Sequence, residues 1–133
     1  MRYILLAYSN REAWENIVTN WDPTAPLPKE VQDACDFYEG LTKELTETGE
    51  LVSTEGLADP SHTRTLRKQA DGVVTTDGPY AEAKEVLVSY AILDCESHER
   101  ALAIAARVVD AVGDTVEAAF RSEERRVGKE CRS

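Results

Sequence analysis

Apolar residues fall along this chain in two rhythms. Arg2 to Tyr8 is a short, largely apolar run with β-favouring Tyr3, Ile4 and Tyr8, which predicts a buried first strand. In Pro28 to Thr48, Val31, Ala34, Cys35, Tyr38, Leu41 and Leu45 recur at helical spacing. Pro28 suits the first turn, Glu30 suits the positive end of the helix, and Gly49 supplies a left-handed stop. Thr42 interrupts the stripe, so the apolar face is expected to narrow towards the helix end, with Cys35 buried as packing. A second helix is predicted from the Ser97 cap to about Ala111, with Ala101, Ile104, Ala105, Val108 and Val112 inward and Gly113 as its stop. His98, in its first turn, is expected on the surface.

The remaining runs read as strands. Glu50 to Gly56, Val86 to Leu93 and Thr115 to Phe120 are candidates for a sheet. His62 to Lys68 and Val73 to Thr76 flank Gln69-Ala70-Asp71-Gly72, where Asp-Gly marks a hairpin reversal. Ser9 to Leu27 is a long polar connection holding Trp14, Trp21, Pro23 and Pro26, with a short helix over Arg11 to Val18. A connection this long serves as a lid or binding loop, or its tryptophans cover the core edge. Without the hairpin, the order is β-α-β-β-α-β, a ferredoxin-like α+β fold with a hairpin insertion. Two helices cannot cover both faces of a four-stranded sheet, so a homodimer is expected.

Length and charge narrow the classes. The 133 residues fit one domain. No apolar run approaches the roughly 20 residues of a membrane span. Met1 to Tyr8 lacks a small-residue cleavage site and reads as a strand, so a cytoplasmic location is expected. The net charge of -10 disfavours nucleic-acid and anionic-membrane partners. Cys35, Cys95 and Cys131 have no metal-ligand spacing, and reduced thiols without a metal site are expected.

The last residues change character. Arg121 to Ser133 form a basic tail on an acidic chain. This string resembles the translation of a common short-read sequencing adapter, codon by codon, and is expected to be a non-native addition. Without it, residues 1 to 120 carry 10 basic and 22 acidic residues, a net of -12.

The densest chemistry lies between the hairpin and the strand that begins at Val86. Asp77-Gly78-Pro79 forces a bend, followed closely by Tyr80, Glu82, Lys84 and Glu85. Asp77 or Glu82 is a candidate general base, and His62 a candidate proton shuttle. Arg67 and Lys84 are candidates to hold an anionic substrate or enolate, and Tyr80 to pack on a ring or donate a hydrogen bond. The same residues also read as a charged turn with surface ion pairs. There is no phosphate loop, dinucleotide fingerprint, nucleophile elbow or H-E-x-x-H, hence no sequence basis for a cofactor.

These residues also carry a resemblance. Met1 to Tyr8, Gly49-Glu50-Leu51-Val52, Glu55-Gly56-Leu57, Thr65-Leu66-Arg67 and above all Thr76-Asp77-Gly78-Pro79-Tyr80-Ala81-Glu82-Ala83-Lys84-Glu85 resemble YCII-related proteins of the DGPF type. Tyr80 and Ala83 stand where the family's T-D-G-P-F-A-E-T-K-E signature has Phe and Thr. The resemblance covers residues 1 to about 120 and implies a ferredoxin-like domain that pairs into a dimeric α+β barrel. Some related proteins are thought to use a His-Asp pair, with the His early in the first helix, for lyase or dehalogenase-like chemistry. Here that helix starts Pro28-Lys29-Glu30-Val31-Gln32, and the pair does not carry over. Two functions remain: a small acid-base enzyme of the lyase, isomerase or dehalogenase-like type acting on a small organic molecule, and a non-catalytic dimeric ligand-binding or regulatory module.

Overall fold

The computed structural model describes residues 1–57, 62–79, 83–112 and 115–120. The chain runs β1 (Arg2–Asn10), α1 (Arg11–Thr19), α2 (Lys29–Glu47), β2 (Leu51–Gly56), β3 (Arg64–Gln69), β4 (Gly72–Asp77), β5 (Glu85–Asp94), α3 (His98–Val112) and β6 (Thr115–Phe120). Four strands form one sheet in the order β2-β5-β1-β6, every neighbour antiparallel. The hairpin β3–β4 is a separate two-stranded sheet. With α1 and the hairpin set aside, this is the ferredoxin-like α+β arrangement.

Register assigns each side chain to a face. Tyr3 pairs with Leu93 and Phe120, and Leu5 with Ala91 and Ala118. Tyr3, Leu5, Leu93, Ala91 and Ala118 meet Leu41, Leu45, Ala101, Ile104, Ala105 and Val108 of α2 and α3 in one core, which also takes in Cys95. The alternate residues Ile4 and Leu6 pair with Ile92 and Tyr90, so they point to the face that the helices leave uncovered. A register irregularity between Ala7 and Tyr8 interrupts the β1–β5 ladder.

The helix ends follow their local chemistry. Gly49 stops α2 with φ 79, a conformation glycine adopts without a Cβ clash. Ser97 accepts the Arg100 amide at 3.1 Å as the cap of α3. Asn10 caps α1 by accepting the Ala13 amide at 2.9 Å. Pro28 sits at the N-cap of α2 rather than inside its first turn.

Two side chains and one burial trend differ from expectation. Cys35 is exposed, because it lies about 120° round the helix from Leu41, and Phe37 and Tyr38 pack against the core instead. Burial along α2 deepens towards Leu41 and Leu45 rather than fading, since that end of the helix lies over the core. His98 is only partly exposed. Its ring stacks on Phe120 at 4.4 Å and lies 6.0 Å from Tyr3.

One polar node fastens β2 to α3. Arg100 donates to both Glu50 oxygens, at 2.8 and 2.9 Å, and Thr48 donates to Glu50 at 2.8 Å. The Glu50 side chain is 15% exposed, so the pair is screened less than a surface bridge. The Arg100 hydrogen bonds hold the Glu50 carboxyl below its ordinary value. Burial pushes the neighbouring Cys95 thiol up, and the Glu50 charge adds to this.

Two outcomes follow for stability. Leu93→Ala removes a core side chain that is 1% exposed, and should lower unfolding free energy by about 2–5 kcal/mol in a urea titration. The Glu50 shift also has a sign. Its folded pKa is depressed, so the unfolded state binds the proton more readily, and the node's stabilisation fades as pH falls through the carboxylate range. Urea midpoints of wild type and Glu50→Gln should therefore differ at neutral pH and converge in acid. A gap unchanged by acid would remove the node from the acid limb.

Candidate functional site

The chain gathers polar side chains at one corner of the open sheet face, where β1 ends. Tyr8 follows the point where β5 carries one extra residue, Val88, opposite β1, while its register with β6 runs on unbroken. Parity places it on the open face with Leu6 and with Glu117, which pairs with Leu6 on β6. Burial pushes the Tyr8 phenol up, reinforced by its hydrogen bond to the Glu117 carboxylate and by the charges of Glu117 and Glu85. Tyr8 is therefore a neutral donor across the physiological range.

Arg11 completes the corner. Its backbone amide donates to the Lys84 carbonyl at 2.8 Å. Its guanidinium donates to the Ala83 carbonyl at 3.4 Å and to Glu15 at 3.0 Å. The return from the Asp-Gly-Pro segment is thus pinned to the start of α1. Pairing of Asn10 with Glu85 carries that pin into the sheet. Trp14, on the next turn of α1, is partly exposed, and its buried Nε1 has no hydrogen-bond partner among the described residues.

The residues singled out from sequence lie in two places. Asp77 ends β4 with its side chain 88% exposed and holds the Arg64 guanidinium at 3.1 Å. Arg67 is exposed on β3 opposite Val74, and His62 is exposed just before the hairpin. Lys84 has an exposed side chain, although its carbonyl is held at the Tyr8 corner. Tyr80 and Glu82 lie outside the described residues, as does the tail from Arg121. One chain thus leaves Asp77, Arg67 and His62 exposed at the β3–β4 hairpin, away from a common pocket. The bend itself forms as the Asp-Gly-Pro order dictates. Gly78 takes φ 82, its amide donates to the Thr63 carbonyl at 2.7 Å, and its carbonyl accepts from Thr65 Oγ1 at 2.8 Å.

Tyr8, Arg11 and Glu117 were not anticipated as site residues. Tyr8 shows only as the last residue of an apolar run, and its meeting with Glu117 depends on pairing across more than a hundred residues. Two further hollows are less suited to chemistry. A cleft of about 50 Å³ between helices and sheet is walled by Leu5, Leu41, Leu45, Ile104 and Val108, room for little more than a water or two. A shallow groove of about 350 Å³ runs along the α1–α2 connection, where Ile17, Trp21, Pro26 and Pro28 line it. Trp21 is 51% exposed there, so of the two tryptophans only Trp14 is substantially covered.

The Tyr8 environment is directly measurable. Its phenol should ionise above the free tyrosine range in a near-ultraviolet phenolate titration, with Tyr8→Phe as the blank. Glu117→Gln removes a raising charge and should bring the transition down. No movement would dissociate Glu117 from Tyr8.

Comparisons with known proteins agree with the fold. Residues 1–117 match the YCII-related domain. An uncharacterised protein of Rhizobium meliloti is 28% identical over 102 residues, covering 77% of this chain and 75% of its own length.

Proposed function

Because the chain belongs to the YCII-related domain family, we propose that it is a homodimeric module that binds a small organic molecule on the open sheet face around Tyr8. The observation that carries this reading is the register that sets Tyr8 and Glu117 near each other on the open face of β1 and β6, with Glu85 on the same face of β5, where the neighbours Ile4, Leu6, Tyr90 and Ile92 are only half buried. Apolar walls with a few convergent polar groups are the usual make-up of a small-molecule site. The half-buried apolar face supports the dimer, since large exposed apolar patches on a single chain are rare. The Thr76–Glu85 segment supports placement in the DGPF subgroup, and the sequence reading supports a cytoplasmic protein with reduced thiols and no cofactor.

A second reading is an acid-base enzyme of the lyase, isomerase or dehalogenase-like type. It is favoured by one observation: a phenol and carboxylates stand within one corner, the groups that proton transfer requires. In that case Tyr8 donates to the substrate oxygen and a carboxylate takes the proton. Asp77, Glu82 and His62 remain candidate catalytic groups, and Arg67, Tyr80 and Lys84 candidate substrate contacts. The exposed Asp77, His62 and Arg67 take part only if assembly carries them to a ligand.

A thermal-shift screen of small organic acids and carbonyl compounds on the full chain tests the reading. A true ligand should bind Tyr8→Phe about 5- to 10-fold more weakly, as expected for one lost hydrogen bond, and Asp77→Asn with little change. A ligand indifferent to Tyr8→Phe would move the site elsewhere. Time-dependent consumption of that ligand, lost in Glu117→Gln, would favour the enzyme over the binding module.

A further inference from the structure

The β3–β4 hairpin has no role in the ferredoxin-like frame. Every residue of β4 is exposed, and every residue of β3 except Thr65. A two-stranded hairpin alone is marginal in water. This one nevertheless exposes Leu66 at 63% and Val73 at 67%. Register places Arg64, Leu66, Lys68, Val73, Thr75 and Asp77 on one face. That face has Leu66 at its centre opposite Thr75, with Arg64 before and Lys68 after it on β3 and Val73 opposite Lys68.

The open face of the sheet carries a matching row. Glu55 pairs with Tyr90, Tyr90 with Leu6, and Leu6 with Glu117. The four side chains therefore line up across the sheet, carboxylates at both ends and apolar residues between. Three strand spacings separate Glu55 from Glu117, about 14 Å. Four residues of extended β3 separate Arg64 from Lys68, also about 14 Å. Sign, order and spacing agree when the hairpin lies across the strands, a crossing that packed sheets adopt.

We propose that the hairpin is an arm that crosses to a second copy of this chain, with Arg64 and Lys68 on the partner's Glu55 and Glu117 and Leu66 on the Tyr90–Leu6 strip. The inference rests on the homodimer reading above and deepens it. Each Tyr8 corner is roofed by the other chain's arm, and the site is incomplete in one chain alone. The arm's cation beside Glu117 lies at the carboxylate that neighbours Tyr8 on the open face. The planar Arg64 guanidinium has five donors, so it can keep Asp77 while meeting a second carboxylate. Like charges brought together at such a contact repel strongly, which gives the test its lever.

Sedimentation equilibrium on the full chain reads the dimer constant. Arg64→Glu with Lys68→Glu should weaken the dimer at least about tenfold, and Glu55→Lys with Glu117→Lys should do the same. The four changes together should restore it to within about threefold of wild type, because both contacts re-form with signs exchanged. Lys29→Glu with Lys43→Glu, equal in charge to the arm variant but on α2, should leave it within about threefold. A wild-type dimer whose fourfold variant is no tighter than either pair overturns the arm and leaves the dimer standing. A wild-type monomer at micromolar concentration overturns both.

Discussion

The central pair of strands is apolar on both of its faces, and the rest of the molecule answers to that constraint. β1 and β5 turn Tyr3, Leu5, Ala91 and Leu93 one way and Ile4, Leu6, Tyr90 and Ile92 the other. Two helices are enough to bury only the first set. With apolar residues on both faces, a one-residue slip of β1 would carry little hydrophobic penalty. Register must therefore be held by other means. The main-chain bond from the Cys95 amide to the Met1 carbonyl at 2.9 Å and the Met1 amine on the Asp94 carboxylate at 3.0 Å supply such anchors at one end of the sheet, beside the Glu50–Arg100 node. Arg11, holding the carbonyls of Ala83 and Lys84, supplies one at the other.

These two anchored ends differ in character. The Glu50 end is filled: Tyr3, Leu93, Cys95 and Ile104 are almost fully enclosed there, and the polar node closes over them. The Tyr8 end is thinner, with Ala7, Ser89 and Val116 on its inner side and phenol, carboxylates and guanidinium on or beside its outer side. Stability is concentrated at the first end and chemistry at the second. Local stability is rarely uniform, and sites commonly occupy the weaker region.

Much of the frame is legible in the chain itself, because the periods are clear. The β6 limits coincide with the run from Thr115 to Phe120, and Asp71-Gly72 marks the reversal where Gly72 takes φ 128. Misplacements arise where two residues compete for one position. Cys35 and Phe37 both suit an apolar stripe, and only the packing of Leu41 and Leu45 over the sheet decides between them. His98 looks like a surface residue until Phe120, distant in sequence, is laid against it. The candidate site is less legible for a similar reason. The Asp77–Glu85 segment stands out by composition, whereas Tyr8 and Glu117 meet only through register. Local pattern reports the backbone turn at Gly78 but not that Asp77 extends into solvent beside Arg64.

The strand order also bears on how the chain acquires this shape. β1 is made first, yet its hydrogen-bonded neighbours are β5 and β6, with Tyr3 opposite Leu93 and Phe120. Neither edge of the innermost strand can be satisfied until most of the polypeptide exists. Such long-range pairing slows folding, since loop closure precedes any gain from the contact. During synthesis, an apolar strand with two open edges is exposed to pairing with other chains. The six residues of β6 close the second edge, so changes there should act on the yield of folded protein as well as on its final stability.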